Sequence, residues 1–279
     1  VLVGAGSDFS HVAVAAAAGL GTVGIAPGVD VSVISHDTTA SVDGGASVNA
    51  RDDVVVQATN QDHLLLIAAG VAGGTVGVGG AVNVLVLDNH TTATIGAASQ
   101  VVAGGDVGVL SRDDTDVNLI AGAGAGGLVG VGASVGVMSI AKRTDAGILT
   151  GASVDAKGAG TGLLGQLSGT VGASGFGEAE RHGVVVQARS SETFFHLDVA
   201  VGAGYVGVAG AVGVTLLDSD TSAVIGANTR INRNNGNAGA DASQGVYVTA
   251  ANSASGTHFS GAAAGGCDIV VTAPSQIVA

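Results

Sequence analysis

The chain has no tryptophan, two prolines, one cysteine and one methionine, and only 3% of its 279 residues are aromatic. A single cysteine, Cys267, excludes a disulfide framework within the chain. So few aromatic residues argue against the interfacial girdles of a membrane β-barrel and against the blades of a propeller. Charged residues make up 11%, well below the roughly 25% of ordinary soluble domains. Basic residues number 9 against 22 acidic ones, for a net charge of −13. A nucleic-acid partner is therefore not expected, because neutralising phosphates requires clustered Lys and Arg. The sequence opens without an initiator methionine or a charged leader, so it is expected to be a window on a longer protein.

What is present in quantity is glycine, at 49 residues, and a hydrophobic fraction of 47% rich in Val and Ile. The hydrophobic fraction excludes disorder, and the glycines lack the three-residue period of collagen. The stretch Thr75–Leu87, TVGVGGAVNVLVL, recurs as Thr22–Ile34, Leu128–Ile140 and Tyr205–Leu217, with starts 53, 53 and 77 residues apart. A period of this kind decides fold class before any local reading does. Within each copy the alternation has period two. Val76, Val78, Val82, Val84 and Val86 lie on one face, and Gly77, Gly79, Ala81 and Asn83 on the other. The valine face is expected to be the core face. The small-residue face makes sense where another backbone approaches closely.

Aligning on this stretch divides the chain into repeats 1–53, 54–106, 107–183 and 184–245, with a partial fifth at 246–279. Each opens on a short strand, with Val1, Val54, Val107, Val184 and Val246 equivalent. A longer strand follows, as in His63–Ala72, and then a two-residue turn ending on Gly21, Gly74, Gly127 or Gly204. Glycine between alternating runs predicts a hairpin. A polar corner comes next, with Thr38, Thr91, Thr144 and Thr221 equivalent, followed by two more short strands. Insertions interrupt the period near 157–181 and 232–241, at the same unit boundary. Leu64–Leu87 is long enough for a membrane helix, but its glycines, β-branched residues and alternation oppose that reading. The fold class predicted is all-β: one continuous repeat array, a β-solenoid with a long glycine-turn hairpin in each unit of about 53 residues.

The aligned pattern VxVxA…AxxGxxGVGxxVxV…TxAxIGxxAxVxA resembles the repeats of large secreted bacterial exoproteins. These are the leukotoxin-type and filamentous-haemagglutinin-like adhesins exported by two-partner secretion. The resemblance covers nearly the whole chain. It implies a right-handed β-solenoid, export to the cell surface or beyond, and adhesion or matrix assembly.

Motifs for catalysis are weak. Gly132-Ala-Ser134-Val-Gly136 matches G-x-S-x-G, but Ser134 falls in mid-strand with no helix after it. G-x-G-x-x-G at Gly19, Gly21 and Gly24, and again at Gly202, Gly204 and Gly207, belongs to turns rather than to the start of a helix. Asn89-His90-Thr91 is a lone sequon. Of the seven histidines, only His196 and His258 share a register, and neither has a ligand-spaced His or Cys nearby. No zinc site is expected, and strand-end or surface histidines are.

Acidic residues cluster at corners, at Asp37, Asp43, Asp88, Asp113, Asp114, Asp116, Asp218 and Asp220; of these Asp113, Asp114, Asp116, Asp218 and Asp220 are calcium candidates, with solvated corner charges as the alternative. No other cofactor is expected. The chain is thus read as a non-enzymatic structural segment of a secreted or surface bacterial filament. Its partners would be further copies of itself or a host or neighbouring cell surface, with no membrane span. Self-association is expected through Gly77, Gly79, Ala81, Gly130, Gly132, Gly207, Ala209 and Ala211. The alternative is a polysaccharide-active β-helix enzyme or a carbohydrate-binding module. The first would need Arg112, Asp113 and Asp116 to converge in a cleft; the second could use the 157–181 insertion.

Overall fold

Period-two alternation dictates strands, and in the computed structural model every regular element among the described residues is a strand. The structure describes residues 1–172, 175–233 and 239–266, and the backbone alone of 268–272 and 275–278. Cys267 lies outside the described residues, as do parts of both insertions. Among the described residues no helix is long and apolar enough to cross a membrane.

Three strands of 41 or 42 residues dominate: β1 (Leu2–Val42), β3 (Val54–Ile95) and β5 (Val107–Ile148). Short strands follow each of them, namely β2 (Ser47–Ala50), β4 (Gln100–Ala103) and β6 (Ser153–Ala156). After the inserted pair β7 (Leu163–Gly172) and β8 (Gly175–Arg181), the long strand returns in two pieces, β9 (Gly183–Ala203) and β10 (Val206–Ile225). The chain continues through β11 (Arg230–Ile231), β12 (Gly245–Gly265), β13 (Asp268–Thr272) and β14 (Ser275–Val278).

All pairing in the two larger sheets is parallel and in register. Leu2 pairs with Val55, and Val54 with Val107, each 53 residues on. The insertions change the offset without changing the register: Val107 pairs with Val184, and Val184 with Val246. The short strands stack likewise, in the order β11-β6-β4-β2. These are long parallel strands in stacked sheets, compatible with a β-solenoid. Parallel pairing also separates the fold from membrane barrels and propeller blades, which are antiparallel.

A straight strand of 42 residues would run about 140 Å. Each of these instead doubles back where Gly21, Gly74 and Gly127 take φ near +155°, a region that essentially only glycine enters. The two arms so formed do not pair as the predicted hairpin. Each arm hydrogen-bonds to the same arm of the next unit, and the arms face one another through their side chains. Among the described residues the one antiparallel pair is β7 with β8.

The interior narrows from base to tip. In the second unit the inward residues of the outgoing arm run Val54, Val56, Ala58, Asn60, Asp62, Leu64, Leu66, Ala68, Gly70 and Ala72. Those of the returning arm run Gly77, Gly79, Ala81, Asn83, Leu85, Leu87, Asn89, Thr91, Ala93 and Ile95. Val, Ile and Ala fill the base, where β2, β4 and β6 close a third side. Leu64, Leu66, Leu85 and Leu87 form a middle layer with Leu119, Met138 and Ile140. Toward the tip only alanine remains, as at Ala68, Ala81, Ala121 and Ala211. Beyond that there is room for glycine alone: a Cβ on Gly70 would lie 2.1 Å from the Gly80 carbonyl oxygen and 2.2 Å from that of Ala26.

This reverses the expected assignment of faces. Ala81 is 1% exposed, whereas Ile25, Val31 and Val33 are 64%, 61% and 73% exposed. The valines lie outside, and the small residues lie between the arms because the gap there is too narrow for anything larger.

Candidate interaction faces and buried polar sites

The face predicted for self-association is not available for it. Gly77, Gly79, Ala81, Gly130, Gly132, Gly207, Ala209 and Ala211 are all buried inside the tip. A Cβ at Gly79 would meet the Gly124 carbonyl oxygen at 2.2 Å, and one at Gly132 would meet that of Val201 at 2.3 Å. What the sheet presents outward is its valine face. In the first unit Val23, Ile25, Val29, Val31 and Val33 are exposed on the returning arm, with Val12 and Val14 on the outgoing one. In-register stacking extends these rows over successive units through Val76, Val78, Val82 and Val84 to Val129, Val131, Val135 and Val137. The outer faces of both arms are therefore lined with apolar side chains.

The acidic candidates do not form one cluster: Asp114 and Asp116 line an open pocket on the outer face with Arg112, without Asp113, Asp218 or Asp220. Asp113 points inward and is fully buried, while its neighbour Asp114 is outward and paired with Arg112 at 2.6 Å. Asp116, two residues further along, shares that outer face and accepts from Asn118 Nδ2 at 3.5 Å. Asp218 and Asp220 are exposed on the other arm. Strand alternation thus divides the presumed calcium set between inside and outside. It equally keeps Asp113 away from Arg112 and Asp116, so the triad that an enzyme cleft would need does not form.

Asp113 has a structural role instead. It belongs to a polar layer that crosses the interior between base and leucine layer. Lys142 Nζ, with its side chain fully buried, sits 2.9 Å from Asp113 Oδ1 and 3.1 Å from Glu192 Oε1. It also donates to the carbonyl oxygens of Asp113 and Ser191 at 3.2 and 3.3 Å. Thr91 Oγ1 donates to Asp113 at 2.8 Å, and Ser190 and Ser219 donate to Glu192 at 2.5 and 2.9 Å. One unit earlier, Asp62 accepts from Asn60 at 2.8 Å and from Asn89, and meets His36 Nδ1 at 3.0 Å. Lone buried charges are costly, and here each acid is met by a cation or by several donors.

The insertion forms the hairpin β7–β8, which lies over the outer face. It leaves an open groove of about 500 Å³ lined by Gln57, Leu110, Arg112, Leu164, Gln187 and Arg189, among others. Two polar side chains of this groove hold the hairpin. Gln187 Oε1 accepts from the Leu167 N–H at 2.6 Å, and Arg189 pairs with Glu178 at 3.1 Å.

At the unit boundary, Asp106 accepts the Gly183 N–H at 2.5 Å, and its own N–H donates to Asp53 at 2.7 Å. Burial raises its carboxyl above the ordinary 3.8, against the lowering effect of the Gly183 bond and with a further upward push from Asp53.

Ser134 is buried in the tip, as a small residue in mid-strand. Two histidines depart from expectation, while His63 and His90 are exposed as expected. His196 is fully buried, and His258 stacks on it with ring centroids 4.3 Å apart. The shared register of the two was legible in the sequence. Alternation also puts Asp198, two residues on, on the face of His196, but that this face turns inward was not legible.

Comparison of the chain with protein-family models, curated proteins and solved structures finds no match in any of the three.

Proposed function

We propose that this chain is a structural segment of a secreted or cell-surface bacterial filament, a β-solenoid of repeats of about 53 residues that spans distance and makes contacts along its sides. The observation that carries this reading is the unbroken in-register parallel stacking, which continues across both insertions. Stacking of this kind adds about 4.8 Å of length per unit and roughly constant stability per unit, which suits an extended rod. The adhesin-like repeat pattern points the same way. The burial of Asp113 on the face opposite to Arg112 and Asp116 speaks against the polysaccharide-active alternative.

Lateral association, in this reading, runs through the outer valine rows and not the glycine–alanine face. Electron microscopy of the native material tests the proposal. Long fibres with a strand spacing near 4.8 Å along the axis support it, and discrete closed particles refute it. Ile25→Lys with Val31→Lys should preserve circular dichroism and abolish bundling. Bundles that persist would place the lateral contact elsewhere.

A further inference from the structure

We propose that His196, Asp198 and His258 form a buried site for a first-row divalent transition metal of the zinc class, which links two successive units of the stack. His196 and Asp198 project inward from β9, and His258 projects from β12 in direct register with His196. One ligand atom from each of the three lies within 4.8 Å of the others. His196 Nε2 is 2.9 Å from Asp198 Oδ2, and His258 Nε2 is 4.0 Å from the same oxygen.

Three features point to a cation. Thr215 Oγ1, on the facing arm, lies 2.8 Å from His196 Nδ1 and 3.3 Å from His258 Nδ1. A hydroxyl oxygen has two acceptor lone pairs, so it can take both Nδ1–H groups. Both Nε2 lone pairs are then turned toward the Asp198 side, the arrangement that metal-bound imidazoles show when their other nitrogen is held. Next, Asp198 is fully buried and neither of its carboxylate oxygens has a hydrogen-bond partner. His196 Nε2 stands close to Oδ2 yet is not aligned to donate to it. A buried carboxylate in that condition is costly unless a positive charge faces it. Finally, the opposite wall is glycine where the ligand atoms come closest. A Cβ on Gly136 would lie 2.2 Å from Asp198 Oδ1, and one on Gly213 2.2 Å from His258 Nε2.

The neighbouring units show what this position holds without such a site. Leu66 and Leu119 stand where His196 does, and Ala68 and Ala121 where Asp198 does. The nitrogen-rich donor set selects zinc, cobalt or nickel over calcium or magnesium. Metal–ligand bonds of about 2.0–2.2 Å would draw the three atoms together and tilt the stacked rings open. Because the ligands come from two strands, the ion would fasten the unit beginning at Val184 to the one beginning at Val246.

The test uses the whole chain, stripped with a chelator and titrated with zinc or cobalt. One ion per chain is expected, with a rise in Tm, and bound cobalt should give the visible absorption of a low-symmetry site. The double variant His196→Leu/Asp198→Ala restores the residues of the preceding units, so it should fold and lose both the binding and the Tm rise. Thr215→Val, which removes only the positioning hydroxyl, should weaken binding by about 10–100-fold. The proposal is overturned if the stripped chain takes up no stoichiometric zinc or cobalt. It is equally overturned if the double variant binds as well as the parent, or if calcium raises Tm as much as zinc does.

Discussion

The base and the tip of the folded-back strands solve the same problem with opposite materials. At the base, Val54, Val56, Ile95, Val101 and Ile148 fill a space closed on three sides, and stability comes from burying branched side chains. At the tip the arms approach until a Cβ at Gly28 would touch the Ala69 carbonyl oxygen at 2.2 Å, so closeness replaces bulk. Both regions are buried and both alternate with period two. Glycine in a strand is a weakness where a side chain could pack and a requirement where backbones meet.

Substitutions can break this contrast. The largest effect is expected in the polar layer between the leucines and the base. Lys142→Met strands Asp113 and Glu192 without their cation and should cost about 3–5 kcal/mol, read as a fall in denaturant midpoint. Gly70→Val at the tip should cost about 3 kcal/mol, because the added atoms meet backbone on both sides. Leu66→Ala in the middle layer should cost roughly 2.5 kcal/mol by leaving a cavity. If Gly70→Val were as mild as an outer-face change, the arms would not be in close apposition and the contrast would fail.

Smaller effects sharpen the picture at the unit boundaries. Gly45, Ala98, Gly151 and Asn228 occupy the same turn with φ of 74°, 56°, 76° and 60°. Of the three residue types found there alanine is the least suited to that region, so Ala98→Gly should stabilise by about 1 kcal/mol, measured as a rise in Tm. Asp106 has a carboxyl held above the ordinary 3.8 by burial. A raised folded-state value means that its contribution is favourable in acid and is lost as pH rises through that value. Asp106→Asn keeps an acceptor for the Gly183 N–H and should therefore raise Tm slightly at neutral pH. The gain should vanish as pH falls below 3.8, and a gain independent of pH would refute the assignment.

The sequence showed which residues stack. Val54, Val107, Val184 and Val246, aligned by pattern, share one register, and Thr91 aligns with Thr144 and Thr221 in the same way. It did not show which face turns inward, because a period-two pattern is symmetric between its two faces and side-chain size favoured the wrong one. The corner residues were misread for a related reason. Asn89 is buried while Asp88 and His90 are exposed, since alternation runs straight through a stretch that looks uniformly polar. The triad of Lys142, Asp113 and Glu192 joins the two arms of β5 to β9, over 29 and 50 residues of sequence, so no local spacing marks it.

The sequence by itself determined the strand class, the 53-residue stacking and the positions that interrupt it, since these follow from alternation and repetition along one chain. Only the tertiary structure decided that toward the tip glycine and alanine are inside and valine outside, and that His196, Asp198 and His258 meet. Those outcomes depend on how near the two arms come. That distance is set by the smallest residues on both arms at once, and no single strand carries it.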